Sequence, residues 1–409
     1  MTPVLIILTA AFGLTTWLNP RGGLLLLVAL LPSYLLRTEL FGVPTTLLEL
    51  LLLTFVVVWL IKHRPALSSL LPTRTILIPL GLLLLSSTVS LFVAPDLMGA
   101  AGIWKAYFIE PIILFFIVRH ELIRSSITAE DLFKALGLTA FILSLVAIVQ
   151  WITGAGLPIP WDIERRVTSV FDYPNALGLF LGPVVIIGAM HTRRLTKDVS
   201  TWFWPTVTIL SLIATTLAQS EAAIVAIVAT LLLGGFVNKK TRRFTIAGTL
   251  IMGALVLLPP WRADVVGKLT LQDYSGQVRL SQWSETVDLL QDHWMLGTGL
   301  SGYPTALEPY HQATHYEIFQ YPHNIVLNIW VELGLLGLIA VALLAWQLLV
   351  RGRSIKPESL VGYAALFALI EIAIHGLVDV PYLKNDLAIL TWLLIATLLY
   401  APQTHRSKK

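Results

Sequence analysis

The sequence predicts an all-α polytopic membrane protein, and three observations point to it. Of 409 residues, 56% are hydrophobic and only 13% are charged, with a mean hydropathy of +0.78; a soluble domain carries roughly 25% charged residues. Apolar runs recur along the whole chain, many of them about 18 residues or longer, enough to cross about 30 Å of hydrocarbon. The charges collect in short breaks between those runs, so the net charge of +4 reads as topology control. No basic patch interleaved with aromatics occurs in a soluble segment, which sets nucleic acid aside.

Taken in order, the runs lie near 3–18, 22–36, 45–61, 75–93, 104–118, 131–153, 174–191, 201–217, 219–237, 243–260, 322–350, 359–379 and 386–400. They give about 12 or 13 transmembrane helices, since the first two are short enough to form one re-entrant pair. The start, Met1-Thr2-Pro3-Val4, lacks a basic flank, so the first run is expected to be retained. Basic residues mark alternate breaks: Lys62, Arg64 and Arg74; Arg119 and Arg124; Arg193, Arg194 and Lys197; Lys239, Lys240, Arg242 and Arg243; Arg351, Arg353 and Lys356; Arg406, Lys408 and Lys409. The positive-inside rule assigns all of them to the cytoplasm. The opposite side then receives loops near 94–103, 154–173, 261–321 and 379–385. Residues 1–409 read as a single membrane domain, with 261–321 as one long extracytoplasmic loop, a lid over it. No internal repeat is visible, which counts against a transporter built from inverted repeats.

Within the lid, Trp283, Val287 and Leu290 recur at helical spacing, so Gln277 to Leu296 is expected to be an amphipathic helix. It ends in Gly297-Thr298-Gly299-Leu300-Ser301-Gly302, a GxGxxG string. A dinucleotide site is rejected, because the glycines follow a helix and no βαβ unit surrounds them. They are expected to stop the helix and form a flexible turn. Aromatics crowd the same loop: Trp261, Tyr274, Trp283, Trp294, Tyr303, Tyr310, Tyr316, Phe319 and Tyr321. Such rings can carry sugars on their faces, or form an interfacial belt.

The stretch with the strongest chemical content is Tyr321-Pro322-His323-Asn324-Ile325, opening the run that reaches Gly334 and Gly337. Proline favours the first helical position, so a helix is expected from Pro322 with His323 in its first turn. There the positive end of the helix dipole disfavours imidazolium, leaving a neutral ring able to accept a hydroxyl proton as a general base. His323, Leu327, Trp330, Gly334 and Gly337 would share one face, the glycines admitting a neighbouring helix. Asn324, Asn328 and Glu332 form a second stripe, and Glu371, His375 and Asp379 a third on the penultimate helix. Ionisable groups inside a bilayer are costly and usually functional; Lys105 and Glu110 belong to the same class. Arg165, Arg166 and Arg279 lie in outer loops, and Asn175 follows a proline that opens a helix. Guanidinium groups bind phosphate bidentately, so arginines converging at a membrane surface suit a diphosphate. With no cysteine, no histidine pair at metal spacing and no Asp-x-Asp pair outside, neither a metal nor another cofactor is expected.

These residues resemble a family. His323-Asn324, nine residues, then Gly334-Leu335-Leu336-Gly337 fits the histidine motif of O-antigen ligases. Arg166 before Phe171-Asp172-Tyr173-Pro174-Asn175, Arg279-Leu280-Ser281-Gln282-Trp283 through Gly297-Thr298-Gly299, and His375 with Asp379 are similar to other segments of the O-antigen ligase and polymerase superfamily. The resemblance runs from about residue 160 to 400. One departure stands out: many relatives carry Ser-Arg at the start of a middle helix, whereas this chain has Gln219-Ser220-Glu221. The positive contact is then absent, or comes from Arg165.

The resemblance implies a GT-C-like helical fold in the bacterial cytoplasmic membrane. Such an enzyme moves a glycan from undecaprenyl diphosphate to an acceptor sugar hydroxyl at the outer face. It implies His323 as base, Arg279 and Arg166 at the diphosphate, and substrate contacts from Arg165, Asn175, Asn324, Glu221, His375, Asp379, Tyr321 and Trp283. Its partners would be the lipid-linked donor, a glycan or lipid-linked acceptor, and membrane lipids. Repeat-unit polymerisation is the alternative within the superfamily; a flippase for lipid-linked sugars is the alternative outside it.

Overall fold

A computed structural model of the chain describes residues 2–40, 42–192, 202–256, 258, 262, 266–268 and 270–403. Trp261, Arg193, Arg194, Lys197, Arg406, Lys408 and Lys409 lie outside the described residues. The described chain is predominantly helical: α1 (Thr2–Leu18), α2 (Pro20–Ala29), α3 (Leu47–His63), α4 (Leu67–Leu70), α5 (Arg74–Val93), α6 (Leu97–Trp104), α7 (Glu110–Ile123), α8 (Ala129–Thr153), α9 (Pro174–Thr192), α10 (Phe203–Leu217), α11 (Glu221–Val237) and α12 (Arg242–Val256). After the gap come α13 (Tyr274–His293), α14 (Tyr303–Leu307), α15 (Ile325–Gly352), α16 (Leu360–His375) and α17 (Asn385–Tyr400).

Every apolar run read from the sequence falls on a helix, because in hydrocarbon only a helix pairs its own backbone groups. Among the described residues, five segments are long and apolar enough to span a bilayer unaided: α5, the continuous Leu97–Ile123, α8, α9 and α15. A π-helical turn, Lys105–Ile109, joins α6 to α7 within the second of these. The run near 22–36 departs from expectation. Its helix α2 stops after ten residues, about 15 Å and too short to cross. A 3-10 turn follows over Leu31–Leu35, then a hairpin of β1 (Arg37–Leu40) and β2 (Val43–Thr46) paired antiparallel, Arg37 opposite Thr46. Pro32 and Gly42 (φ 78°) are the local breakers.

The centre of the bundle is α9, with 78% of its apolar window buried against 28% for α15. It packs on α8, α10, α11 and α16. Gly178 lies where a Cβ would come within 2.3 Å of Ser220 Oγ on α11, and Gly182 where one would meet Glu371 Oε1 at 2.3 Å on α16. Small residues thus bring the backbones close, as membrane packing favours.

Three expected boundaries move. α15 starts at Ile325, not Pro322, because Asn324 caps it by accepting from the Val326 and Leu327 N–H groups. α16 stops at His375, so Asp379 lies in the following loop and off the helical stripe. α13 covers Tyr274–His293, and its packed face runs through Gln282, Glu285, Thr286, Leu289 and Leu290, leaving Val287 51% exposed. Sequence spacing alone had put Val287 on that face.

Gly334 has a different task from the one its motif suggests. Its φ of 67° and ψ of −172° break α15, and the break admits backbone rather than a helix. A Cβ there would sit 2.3 Å from the Met295 carbonyl oxygen. The lid inserts at that point: Thr298 N–H donates to Val331 O (2.6 Å) and Leu335 N–H to Met295 O (3.1 Å). The turn from Gly297 to Leu300 is buried, so it is a docked plug and not a flexible hinge. Next to it, Leu289, Leu290, Tyr303, Leu307 and Val331 form a small core. Glu285 ties down the chain beyond α14, accepting from the Gln312 and Ala313 N–H groups (both 3.0 Å) and facing His311 Nδ1 at 3.0 Å.

Candidate active site

The segment Pro322-His323-Asn324 is fixed by three hydrogen bonds, one from α13 and two to the loop after α16, before any substrate is considered. Trp283 Nε1 on α13 donates to Pro322 O (2.8 Å), Asn324 Nδ2 donates to Leu377 O (3.0 Å), and Ile325 N–H donates to Gly376 O (2.7 Å). Between these ties His323 has φ 49°, a left-handed conformation that non-glycine residues seldom adopt. Such an outlier persists only where its surroundings over-determine it, and it concentrates at functional sites. His323 therefore precedes the helix and its N-cap instead of lying in the first turn, where the sequence predicts it. The rings of Phe319 and Tyr321 flank the imidazole edge-on at 5.1 and 5.0 Å.

His323 Nδ1 lies 3.6 Å from Asp379 Oδ1, with 18% of the histidine side chain exposed and 2% of the aspartate's. The ring is reachable; the carboxylate behind it is not. Burial opposes ionisation of Asp379, but His323, His375 and the N–H of Val380 (2.8 Å) outweigh it and hold the carboxyl below its ordinary range. Deeper in, His375 Nδ1 faces Glu371 Oε1 at 3.5 Å, both side chains essentially fully buried. His375 is thus a buried neighbour of Asp379 and has no exposed surface to offer a substrate. Asn324 is likewise committed to capping and bracing.

Arg279 reaches the same loop. Its Nε donates to Val378 O (3.0 Å), one residue before Asp379, and one terminal nitrogen donates to Ser275 Oγ (2.8 Å). Lid helix and histidine segment thus meet at residues 376–379, and Arg279 keeps further N–H groups to offer. The structure brings together Arg279, Trp283, Tyr321, His323, Asn324 and Asp379.

Arg166 belongs to a second group. It donates to Ala218 O (3.2 Å) and Gln219 O (3.4 Å) at the start of α11 and lies over the Trp161 ring at 4.9 Å. Beside it Glu221 pairs with Lys268 Nζ at 2.6 Å. The departure Gln219-Ser220-Glu221 therefore comes with a lysine carried on the lid, not with Arg165. Arg165 is exposed near Gly154, at the end of α8, and joins neither group. Asn175 is half-buried in the first turn of α9.

Beside Tyr321 lie two residues that the sequence assigned no role, Tyr173 and Lys384. Burial pushes the Tyr173 and Tyr321 hydroxyls above the ordinary tyrosine range. Lys384 Nζ lies over the rings of Tyr173 (4.5 Å), Phe171 (5.3 Å) and Tyr34 (5.8 Å). Burial lowers its pKa, against the pull of Asp386, Asp172 and Asp379. The available signal was a lone lysine in the short loop just before the last apolar run.

Aromatic faces, carboxylates and guanidinium donors around one accessible imidazole are groups that bind sugars and phosphates. Residues 206–342 match the family described as O-antigen ligase. That segment belongs to the O-antigen ligase superfamily. No curated protein sequence matches the chain. The O-antigen ligase segment runs from α10 into α15. It takes in Glu221, Arg279, Trp283, Tyr321, His323, Gly334 and Gly337, while Arg165, Arg166, Asn175, His375, Asp379 and Lys384 lie outside it.

Proposed function

We propose that this protein transfers a glycan from undecaprenyl diphosphate to an acceptor sugar hydroxyl at the extracytoplasmic face of a bacterial cytoplasmic membrane. The observation that carries the reading is the meeting of His323, Asp379 and Arg279 at one loop, with Nδ1 3.6 Å from the carboxylate and Arg279 on Val378 O. Asp379 at Nδ1 leaves Nε2 facing the acceptor. Nε2 takes the hydroxyl proton as that oxygen bonds to the anomeric carbon and the bond to the diphosphate oxygen breaks, inverting the carbon. The diphosphate leaves with its charge met by Arg279, and Arg166 extends the basic surface at the α11 corner. Tyr173, Tyr321 and Trp283 supply ring surface for sugars.

The side assignment rests on α15. His323 stands before its first residue and Arg351 near its last, with Arg353 and Lys356 beyond. The positive-inside rule puts the arginine end in the cytoplasm and so the histidine end outside. Residues 1–409 act as one membrane domain and 261–321 as its cover. Ligation and repeat-unit polymerisation use the same geometry and differ in the acceptor.

The test is transfer in proteoliposomes from a defined lipid-diphosphate glycan to a panel of acceptors. His323→Ala should cut turnover about 10²- to 10⁴-fold, and Arg279→Ala about 10²- to 10³-fold, while both still insert and elute as the parent does. Parental rates in both variants would sink the mechanism.

A further inference from the structure

The far end of the bundle holds a second recess that glycosyl transfer does not use. Its volume is about 380 Å³, and it lies between the start of α5, the end of α7, the end of α15 and the end of α17. Thr75, Arg119, Gln347, Arg351, Ser354 and Gln403 line it, and among the described residues no carboxylate does. Two cations face the same space with no acid to neutralise them.

The donors there are held but not used up. Arg351 reaches across to the Leu399 and Ala401 carbonyls through one terminal nitrogen, while its Nε is buried without a partner. Arg119 donates from Nη1 to Leu70 O at 3.3 Å. Helix α5 opens at the same place, and its N-cap residue Thr73 makes no side-chain capping bond. The N–H groups of the first turn, Arg74 and Thr75, therefore point out of the helix end without an intrahelical acceptor. Guanidinium forks and a bare helix N-terminus are the two devices proteins use to hold phosphoryl oxygens. The remaining wall, at Ile76, Val350 and Leu399, is apolar.

We propose that this recess is a phosphate-binding site on the cytoplasmic side, about 40 Å along α15 from the histidine segment. The ligand class is a phosphoryl oxyanion, carried by an anionic lipid headgroup or by a free phosphate. An anionic phosphodiester lipid fits both halves of the lining, its charge on Arg119 and Arg351 and the first methylenes of its acyl chains against the apolar wall. The site stands on its own geometry and is independent of the transfer mechanism.

The test uses the purified, delipidated full-length chain in neutral detergent, titrated in one arm with phosphatidylglycerol or phosphatidylcholine and followed by native mass spectrometry. A second arm titrates inorganic phosphate and follows it by calorimetry. Arg351 supports the end of α17, so the informative variants are Arg119→Gln and Thr75→Glu. The latter sets a carboxylate in the recess at a helix N-terminus, where negative charge is tolerated. The expected result is a single phosphatidylglycerol adduct, at least tenfold weaker in both variants, with phosphatidylcholine binding weaker and unaffected. Binding of inorganic phosphate, lost in the same variants, would support the site and assign it to a soluble ligand. Parental binding in both variants, or no binding of either anion by the parent, would overturn it.

Discussion

His323 is strained in its backbone and free in its ring, and the two facts belong together. Three hydrogen bonds, one from α13 and two to the loop after α16, hold the flanking residues, so the left-handed φ of 49° is imposed rather than chosen. Asp379 is the complement: buried, and held ionised below the ordinary carboxyl range. A carboxyl whose pKa is depressed in the folded protein stays charged as pH falls until the depressed value is reached. Asp379 is thus ionised in the parent throughout pH 6 to 9, and Asp379→Asn should lower turnover about 10²-fold at every pH in that range. Rates measured across that range would show it; a variant equal to the parent would remove Asp379 from the mechanism. Arg279, His323 and Asp379 were legible in the sequence because phosphate and proton chemistry restrict residue types. Lys384 and Tyr173 were not, because an aromatic cage is assembled from Tyr34, Phe171 and Tyr173 on distant segments and no spacing announces it.

At the scale of elements, length and apolarity made the helices readable, since the bilayer leaves few alternatives. Their ends were less so. Pro322 looked like a helix start, but Asn324 captures the cap by hydrogen bonding; α16 ended four residues before Asp379 for want of a sequence marker. Gly334 read as a packing glycine because spacing reports neighbours on a face and not torsion angles. The latch on the lid was also invisible, being a contact between Glu285 and a loop 26 residues on at His311. Burial opposes the charge on Glu285, but the Ala313, His311 and Gln312 contacts hold its pKa below the ordinary value. The Glu285 contact in turn raises that of His311. The stabilisation from Glu285 is lost as pH falls through its depressed value, and that from His311 as pH rises through its raised value. Protection of the 308–316 amides, taken relative to intrinsic exchange at each pH, should thus be greatest between those limits and lower on both sides. Glu285→Gln should abolish the acid-side change; uniform protection at all pH would refute the latch.

For the whole molecule, the sidedness is the statement with the widest reach. The chain contains no cysteine, so any cysteine introduced is its only thiol. A cysteine in place of the exposed Tyr274 should react with a membrane-impermeant maleimide in intact cells, and one in place of Arg353 only after lysis. The reverse pattern would place the histidine segment in the cytoplasm and end the glycan reading. The broken helix α15 then has a mechanical meaning. Where it loses its own pairing, the carbonyl of Val331 and the N–H of Leu335 are completed by Thr298 and Met295 of the lid. Pulling that corner away would strand both groups in an apolar layer, at several kcal/mol for each. The cover is stitched at this seam, which makes it a fulcrum: whatever admits a long lipid-borne chain must swing about residues 295–298 and open along another edge.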